Sequence, residues 1–158
     1  VFCAGPIKML WPLFVLTKSI PPFGEKDVPV TVNFGSDRQT QRFHFQRVFH
    51  FKGRRPYSFR SYMVQMKDNE VMEVTGPGMG WRAFYCWENG KVVMKHSGYA
   101  LKILGFYIPL PLQLLIGEGY AEEIPVDDDT FDMCMHLTHP KWGKIYEYKG
   151  SFKVTKEA

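Results

Sequence analysis

The most regular feature of the sequence is an alternation of apolar and polar residues between positions 130 and 154. Apolar residues occupy every second position in two runs, Phe131, Met133, Met135 and Leu137 in the first and Tyr146, Tyr148, Phe152 and Val154 in the second. A period of two predicts strands that bury one face. We predict three strands here, Gly117–Ile124, Thr130–Thr138 and Lys144–Val154, joined by turns rich in Pro, Asp and Gly.

Six further strands are predicted from the first two thirds of the chain. They span Val28–Phe34, Gln39–Phe51, Tyr57–Met66, Val71–Val74, Trp81–Trp87 and Lys91–Ser97. The Asn89-Gly90 pair between the last two is typical of a two-residue hairpin turn. The chain is therefore predicted to be mainly β, a curved antiparallel sheet or partly open β-barrel of about eight to nine strands, with one or two short helices packed against it.

Two apolar stretches do not fit the strand pattern. The run Ile7–Leu16 contains Pro12 and is far shorter than the ~20 residues of a membrane span, so we predict a short amphipathic helix, interrupted or kinked at the proline. A signal-peptide remnant or a membrane-surface anchor is the alternative for this run. The segment from Leu104 to Ile116 carries two prolines, which disfavours a regular central strand and favours a helical turn over Leu110–Leu115.

The pattern predicts one domain over residues 1–158, with a short helical segment in 1–18 and an antiparallel β region over 28–156. Because the first residue is valine rather than methionine, we expect Val1 not to be the natural start. Several predicted strands are apolar on both faces: in one of them, Tyr57 and Phe59 alternate with Tyr62 and Val64. Such strands need a cover on both sides, from a helix, a second sheet or a barrel wall.

Charge is unevenly distributed along the chain, although the net charge is only +4. From Arg38 to Arg60 there are seven basic and no acidic residues, and from Ile116 to Met135 there are seven acidic and no basic ones. One interpretation is a basic binding face. The other, which we favour, is that the oppositely charged strands lie near one another in one sheet. The sequence matches no nucleic-acid-binding module, so nucleic acid is not an expected partner.

The sequence lacks the usual signatures of catalysis or metal binding. Three cysteines and five histidines are scattered without CxxC or paired-histidine spacing, so we expect no metal, no cofactor and no disulfide. Cys134 and His136 share a strand face but stand too far apart for a nucleophile–base pair. The odd cysteine count favours a reducing compartment, hence a cytoplasmic location without a membrane span.

Arg47 is the residue that departs from its strand's pattern. It shares a parity with four phenylalanines, Phe43, Phe45, Phe49 and Phe51, and is predicted to point inward with them. A charge on such a face requires a partner, because its desolvation costs several kcal/mol. Either Arg47 forms a structural ion pair that fixes the strand register, or it anchors the carboxylate or phosphate head of a ligand in an apolar cavity.

The acidic strand supplies the expected partners of Arg47. Glu118 and Glu122 flank Tyr120 on one strand face, and either carboxylate could meet the guanidinium. The candidate ligand-binding residues are therefore Arg47, Phe45, Phe49, Glu118, Tyr120 and Glu122.

Several short segments, taken in order, resemble a known family. They are the aromatic-x-Arg-x-Phe-x-Phe pattern at Phe45–Phe51, Gly76-Pro77, Gly105–Pro111, the acidic strand around Ala121-Glu122, Pro140–Gly143 and Tyr148–Phe152. The chain resembles the bacterial domain-of-unknown-function family found in YndJ-like proteins and behind some saccharopine-dehydrogenase-like reductase domains. The resemblance covers about Ile7 to Val154. It implies no established activity or cofactor, so no catalytic residues carry over.

The predicted function is a non-enzymatic binding module for a hydrophobic or anionic amphipathic small molecule such as a lipid. It follows from strands that are apolar on both faces, from the richness in Met and aromatic residues, and from one arginine among phenylalanines. The alternatives are an enzyme associated with reductase domains and a protein-interaction domain with a dry core. The oligomeric state is left open.

Overall fold

The structure is a computed structural model that describes residues 1–5, 9–17, 19–21, 23–37 and 39–155. The described elements are strands β1 (Phe2–Cys3), β2 (Val30–Asp37), β3 (Arg42–Phe49), β4 (Tyr57–Lys67), β5 (Glu70–Thr75), β6 (Met79–Glu88), β7 (Lys91–Ile103), β8 (Phe106–Leu110), β9 (Glu118–Pro125), β10 (Thr130–His139) and β11 (Gly143–Lys153), with helices α1 (Trp11–Thr17) and α2 (Gln113–Ile116).

All eleven strands belong to one antiparallel sheet, in the order β1-β11-β10-β9-β7-β6-β5-β4-β3-β2 with β8 beside β7. Strand β7 has two partners on one side, because Val92–Lys95 pair with β9 and Tyr99–Ile103 pair with β8. In the described part of the chain the sheet stays open, with β1 and β2 at its edges. The predicted curved antiparallel sheet is confirmed.

The nine predicted strands are all present, and the structure adds β1 and β8. Strand β8 contains Pro109, although proline disfavours a regular central strand and a strand was not predicted here. Proline is tolerated there because β8 pairs only with β7 and so lies at an edge of the sheet. The predicted hairpin at Asn89-Gly90 is confirmed: Glu88 pairs with Lys91, and both turn residues have positive φ, 51° and 77°.

The helices pack at one end of the sheet. Helix α1 begins at Trp11, which places Pro12 in the first turn, where proline fits a helix. The earlier part of the predicted helix, including Ile7 and Lys8, lies outside the described residues. Phe14 of α1 and Ile116 of α2 join a buried cluster whose strand members are Tyr99, Leu137, Ile145 and Tyr146. No helix in the described ranges has the length and apolar character needed to cross a membrane.

We call the face of the sheet that carries Arg47 the inner face, and the opposite one the outer face. The outer face has an apolar cluster of its own, in which Met72, Val74 and Ala100 are buried against Tyr62 and Tyr107. Tyr107 belongs to β8, so the β7–β8 hairpin helps to cover the outer side of β4 and β5. This cover explains why the central strands are apolar on both faces.

The edges of the curved sheet approach each other through the N-terminus. The Val1 amino group donates a hydrogen bond to the Glu25 carbonyl oxygen (2.8 Å), and the Glu25 N–H donates one back to Val1 (3.0 Å). Strand β1 pairs with β11 only at Tyr146 and Glu147. Farther along, the second half of β11 and the outer edge of β2 have no strand partner within the described residues, which leaves a gap between them.

The two charged segments of the sequence do not lie side by side. Acidic strand β9 is separated from β4 and β3, which carry Arg60, Arg47 and Arg42 of the basic segment, by β7, β6 and β5. The strands belong to one sheet, as the favoured interpretation expects, but they are not adjacent in it and so do not offset each other along a shared ladder. Local partners compensate the acids instead: Lys91 of β7 places its Nζ 2.6 Å from Glu122 Oε2.

Candidate ligand-binding site

The inner face of the sheet encloses a cavity of about 870 Å³. Nearly every strand contributes to its wall, which is largely apolar and rich in Phe and Met, and Phe14 and Ile116 of the helices close one end. Residues of both free sheet edges also line it, among them Thr31 and Asn33 of β2 and Ser151 of β11. The cavity therefore reaches the gap between the two edges.

Aromatic side chains border the open part of the cavity. Phe34 and Phe43 stack with ring centroids 5.9 Å apart, and Phe131 and Phe152 stack at 5.6 Å on the other wall. Phe34 lines the cavity and is still 56% exposed. An inward-facing ring that remains this exposed indicates that solvent reaches the cavity from this side.

Arg47 lies on the cavity wall and is 8% exposed, so the predicted inward placement is confirmed. Its Nη1 donates hydrogen bonds to Glu73 Oε1 (2.7 Å) and to Ser61 Oγ (2.9 Å). The guanidinium carbon lies 4.7 Å from the Phe45 ring centroid and 5.2 Å from that of Phe59. The charge is thus held by an ion pair, a hydroxyl and two aromatic faces.

Three neighbouring strands supply this cluster. Arg47 of β3 pairs across the ladder with Phe59 of β4, and Ser61, two residues along, is on the same face. Glu73 of β5 reaches the same face opposite Met63. The Ser61 hydroxyl accepts from Arg47 and donates to Glu73 Oε1 (2.5 Å). The Ser61 hydroxyl is thus engaged both as acceptor and as donor. Neither of these two partners is a histidine that could act as a general base, so the arrangement suits binding rather than nucleophilic catalysis.

The opposite wall carries Glu123 of β9 and Tyr148 of β11. Both line the cavity, and both lie within electrostatic reach of Arg47. The Tyr148 ring also meets Phe49 edge-on, with centroids 6.1 Å apart, so the two walls touch across the interior at this point. Polar groups from β3, β4 and β5 thus face polar groups from β9 and β11.

Burial sets the protonation of these groups. Burial is the largest influence on Arg47 and disfavours its charge, but Glu73, Tyr148 and Glu123 together outweigh it, so the pKa of Arg47 lies above its ordinary value and the group stays cationic. Burial raises the pKa of the Glu123 carboxyl, against the opposing effect of the Arg47 charge. Burial likewise raises the pKa of Tyr148 to about 12, which keeps the phenol neutral and able to donate a hydrogen bond.

The structure separates the six residues that were predicted to form one site. Arg47, Phe45 and Phe49 line the cavity. The prediction that Glu118 or Glu122 pairs with Arg47 is wrong, because Glu73 takes that position.

The strand β9 alternation explains the error. Ala121 and Glu123 face inward, which turns the side chains of Glu118, Tyr120 and Glu122 towards the outer face. Glu122 borders the cavity, but its Oε2 accepts from Lys91 Nζ (2.6 Å) and from the Tyr120 hydroxyl (2.9 Å).

Sequence reasoning missed Glu73, Ser61 and Glu123. Parity separates Glu73 from the buried residues Met72 and Val74 of β5, but it does not say which of the two faces is the inner one. In β9, Glu123 is the acid whose parity differs from that of Glu118 and Glu122. The prediction for β9 followed the face of Tyr120, which Glu118 and Glu122 flank, while Glu123 occupies the other face.

Metal and thiol chemistry receive no support from the described residues. No group of three or more His, Cys, Asp or Glu side chains there could hold a metal ion. Cys86 and Cys134 carry free thiols. Burial raises the pKa of the Cys134 thiol, so the nucleophilic thiolate is disfavoured. His96 accepts a hydrogen bond at Nδ1 from the Trp81 indole (3.1 Å), which gives it a structural role.

One comparison with known proteins identifies the family. The model of a domain of unknown function, DUF4166, matches residues 4–152. The chain belongs to this family. The match spans nearly the whole sheet, from the residue after β1 to the penultimate residue of β11. The comparisons with curated proteins and with solved structures found no match.

Proposed function

We propose that this domain binds a hydrophobic or amphipathic small molecule, such as a lipid, inside the curved sheet. The observation that supports it is a cavity of about 870 Å³, lined mainly by apolar side chains and carrying one small polar cluster. Ligand sites have this character: volumes of roughly 300–1,000 Å³, apolar walls and a few polar groups that fix orientation. Phe45 and Phe49 would contact the apolar part of the ligand, and the cluster around Arg47 its polar part.

The cavity argues against a domain with a dry core. Protein interiors are packed as densely as organic crystals, with few voids larger than a water molecule. An interaction domain that needed only stability would bring the two walls together. Here the walls touch where Phe49 meets Tyr148 and separate towards the gap between β2 and β11.

The test is binding of a neutral apolar dye, Nile red, combined with mass spectrometry of molecules released on denaturation. We expect a saturable increase in Nile red fluorescence that competes with the released molecule. Met133→Trp should block binding, because Met133 lines the cavity and the larger ring would fill it. The fold should accommodate this ring, since Met133 pairs with Gly150, which has no side chain of its own. Lys149→Trp is the matched control: the same ring is placed on the exposed outer side of β11.

The outcomes separate the functions. Dye binding that is lost in Met133→Trp and retained in Lys149→Trp supports a ligand site in the cavity. Absence of saturable binding in the wild type, with no apolar molecule released, contradicts it and favours the dry-core alternative. Binding that is retained equally in both variants, each folded by circular dichroism, places the bound dye outside the cavity.

A further inference from the structure

The charges on the cavity wall are negative in balance. Arg47 is the deep cation, and its Nη1 is already 2.7 Å from Glu73 Oε1. Glu123 adds a second carboxyl on the opposite wall. One cation therefore faces two acids, and an anionic head group would bring a third negative charge into a poorly solvated space.

The other charged residues at the cavity border are paired on its rim. Lys153 Nζ lies 3.3 Å from Asp129 Oδ2, and Glu122 is held by Lys91. Neither pair offers an unmatched cation to a ligand. The expectation of an anionic head group depended on Arg47 having no partner in the protein. The Arg47–Glu73 ion pair shows that Arg47 has one.

Two tyrosines share the cavity wall with the second acid. Tyr85 and Tyr148 are both within electrostatic reach of Glu123 and both line the cavity. A carboxylate in a cavity lined by aromatic residues is a favourable site for an organic cation, because the acid supplies the opposite charge and ring faces that the cation reaches supply negative quadrupole potential. An ammonium group also donates hydrogen bonds that a buried carboxylate requires.

We propose that the ligand of this cavity is a cationic amphiphile, an apolar tail with an amine that pairs with Glu123. The amine restores charge balance: two cations, Arg47 and the ligand, then face two carboxylates, Glu73 and Glu123. This inference rests on the proposed function and names its ligand class. The tail occupies the Phe- and Met-lined part of the cavity, and the amine lies between the two walls.

The experiment compares three ligands with the same tail and different heads: dodecylamine, dodecanol and dodecanoate. Each ligand is titrated into the folded protein with bound Nile red at neutral pH, below the concentration at which the ligand forms micelles. Displacement of the dye measures the ligand's affinity. We expect dodecylamine to bind at least about tenfold more tightly than dodecanoate, because desolvation of the head group offsets most, but not all, of the charge interaction inside the protein. Dodecanol should fall between them.

The variant Glu123→Gln tests the residue that carries the inference. It keeps the side-chain shape and removes the charge, so it should weaken dodecylamine binding by about tenfold while leaving dodecanol unchanged. Glu147→Gln is the matched control on the neighbouring wall, because Glu147 is on the outer side of β11 and pairs with Lys144.

Each result decides the inference. Preference for dodecanoate, equal affinity for all three heads, or an unchanged amine preference in Glu123→Gln overturns it and leaves the cavity a binding site of another specificity. Failure of Nile red and all three ligands to bind overturns the proposed function together with the inference. A preference for the amine that disappears in Glu123→Gln and persists in Glu147→Gln establishes it.

Discussion

The Arg47–Glu73 pair gives the sharpest test of how the inner polar cluster is held. The two side chains are 9% and 13% exposed, and their charged atoms are 2.7 Å apart. At an effective dielectric of about 20, two unit charges at this distance attract by roughly 6 kcal/mol before desolvation is subtracted. Removing one partner of such a pair typically costs about 3–5 kcal/mol, because the other charge is left buried without compensation.

We therefore expect Arg47→Met to lower the free energy of unfolding by about 3–5 kcal/mol. It leaves Glu73 with only the Ser61 hydroxyl, and it removes the cation that also acts on Glu123. Glu73→Leu should cost somewhat less, since the guanidinium still faces Glu123. The double variant should lie within about 1 kcal/mol of the wild type, because apolar side chains of similar volume replace buried ion pairs at little cost.

The wild type, the two single variants and the double variant form a double-mutant cycle. Urea denaturation with a common m-value measures the free energy of unfolding of all four proteins. The control cycle uses Lys95 and Glu88, whose side chains are 49% and 40% exposed, and its coupling should stay below about 1 kcal/mol. Additive effects of Arg47→Met and Glu73→Leu would refute the reasoning. They would mean that the pair is effectively solvated and that the cavity wall is not a low-dielectric surface.

Three further outcomes are expected. Tyr146→Phe should stabilise the protein by about 1 kcal/mol or more in urea denaturation, because the buried Tyr146 hydroxyl has no hydrogen-bond partner among the described residues; a loss of stability would contradict this. Gly117→Ala should cost several kcal/mol, since Gly117 has φ 76° and its added Cβ would meet the Thr138 carbonyl oxygen; a change below about 1 kcal/mol would show that the turn adapts. Glu123→Gln should be more stable than the wild type at neutral pH. Burial raises the pKa of Glu123 in the folded state. The free-energy cost of its charge therefore grows as the pH rises above the ordinary pKa of 4.5 and vanishes below that pH. A stability advantage of Glu123→Gln that persists in acid would contradict this.

The inward position of Arg47 was predictable because the alternation in its strand is unbroken. Every residue from Arg42 to Phe49 keeps its parity in the ladders with β2 and β4, so the sequence pattern carries directly into space. The same holds for β10 in its ladder with β9, whereas its ladder with β11 keeps the parity only up to Leu137 and shifts register before Thr138. Local periodicity determines which face a side chain occupies as long as no extra residue enters the strand.

The identity of the partner depended on one irregularity that periodicity cannot reveal. Lys67 pairs with Glu70 at the β4–β5 turn, and an uninterrupted ladder would then place Glu73 opposite Val64, on the outer face. A register shift just before Lys67 places Glu73 opposite Met63 instead, on the inner face. An inserted residue of this kind exchanges the faces of everything beyond it, and no residue type marks its position in the sequence.

The order of strands in space was also beyond the sequence pattern. The acidic strand β9 is remote from β3 within the sheet, so its outward acids Glu118 and Glu122 cannot reach Arg47 along the surface. Curvature brings β9 opposite β3 across the cavity instead. The Arg47 charge therefore acts on the pKa of Glu123, the acid of β9 that points inward. Whether strands are neighbours in a ladder or face each other across a cavity is decided by closure of the whole sheet, which is a long-range property.

An ion pair on a cavity wall contributes little to stability that apolar residues could not supply. Its presence at the centre of the inner face is therefore better explained by what the cavity holds than by what the sheet needs. The double variant Arg47→Met/Glu73→Leu separates the two roles, because it should keep near-wild-type stability while leaving Glu123 as the deep charge. In that background the affinity for an amine should rise, since the competing guanidinium is gone, whereas the affinity for a neutral alcohol should change little. A double variant that is stable and shows no gain for the amine would place the ligand's head group away from this cluster.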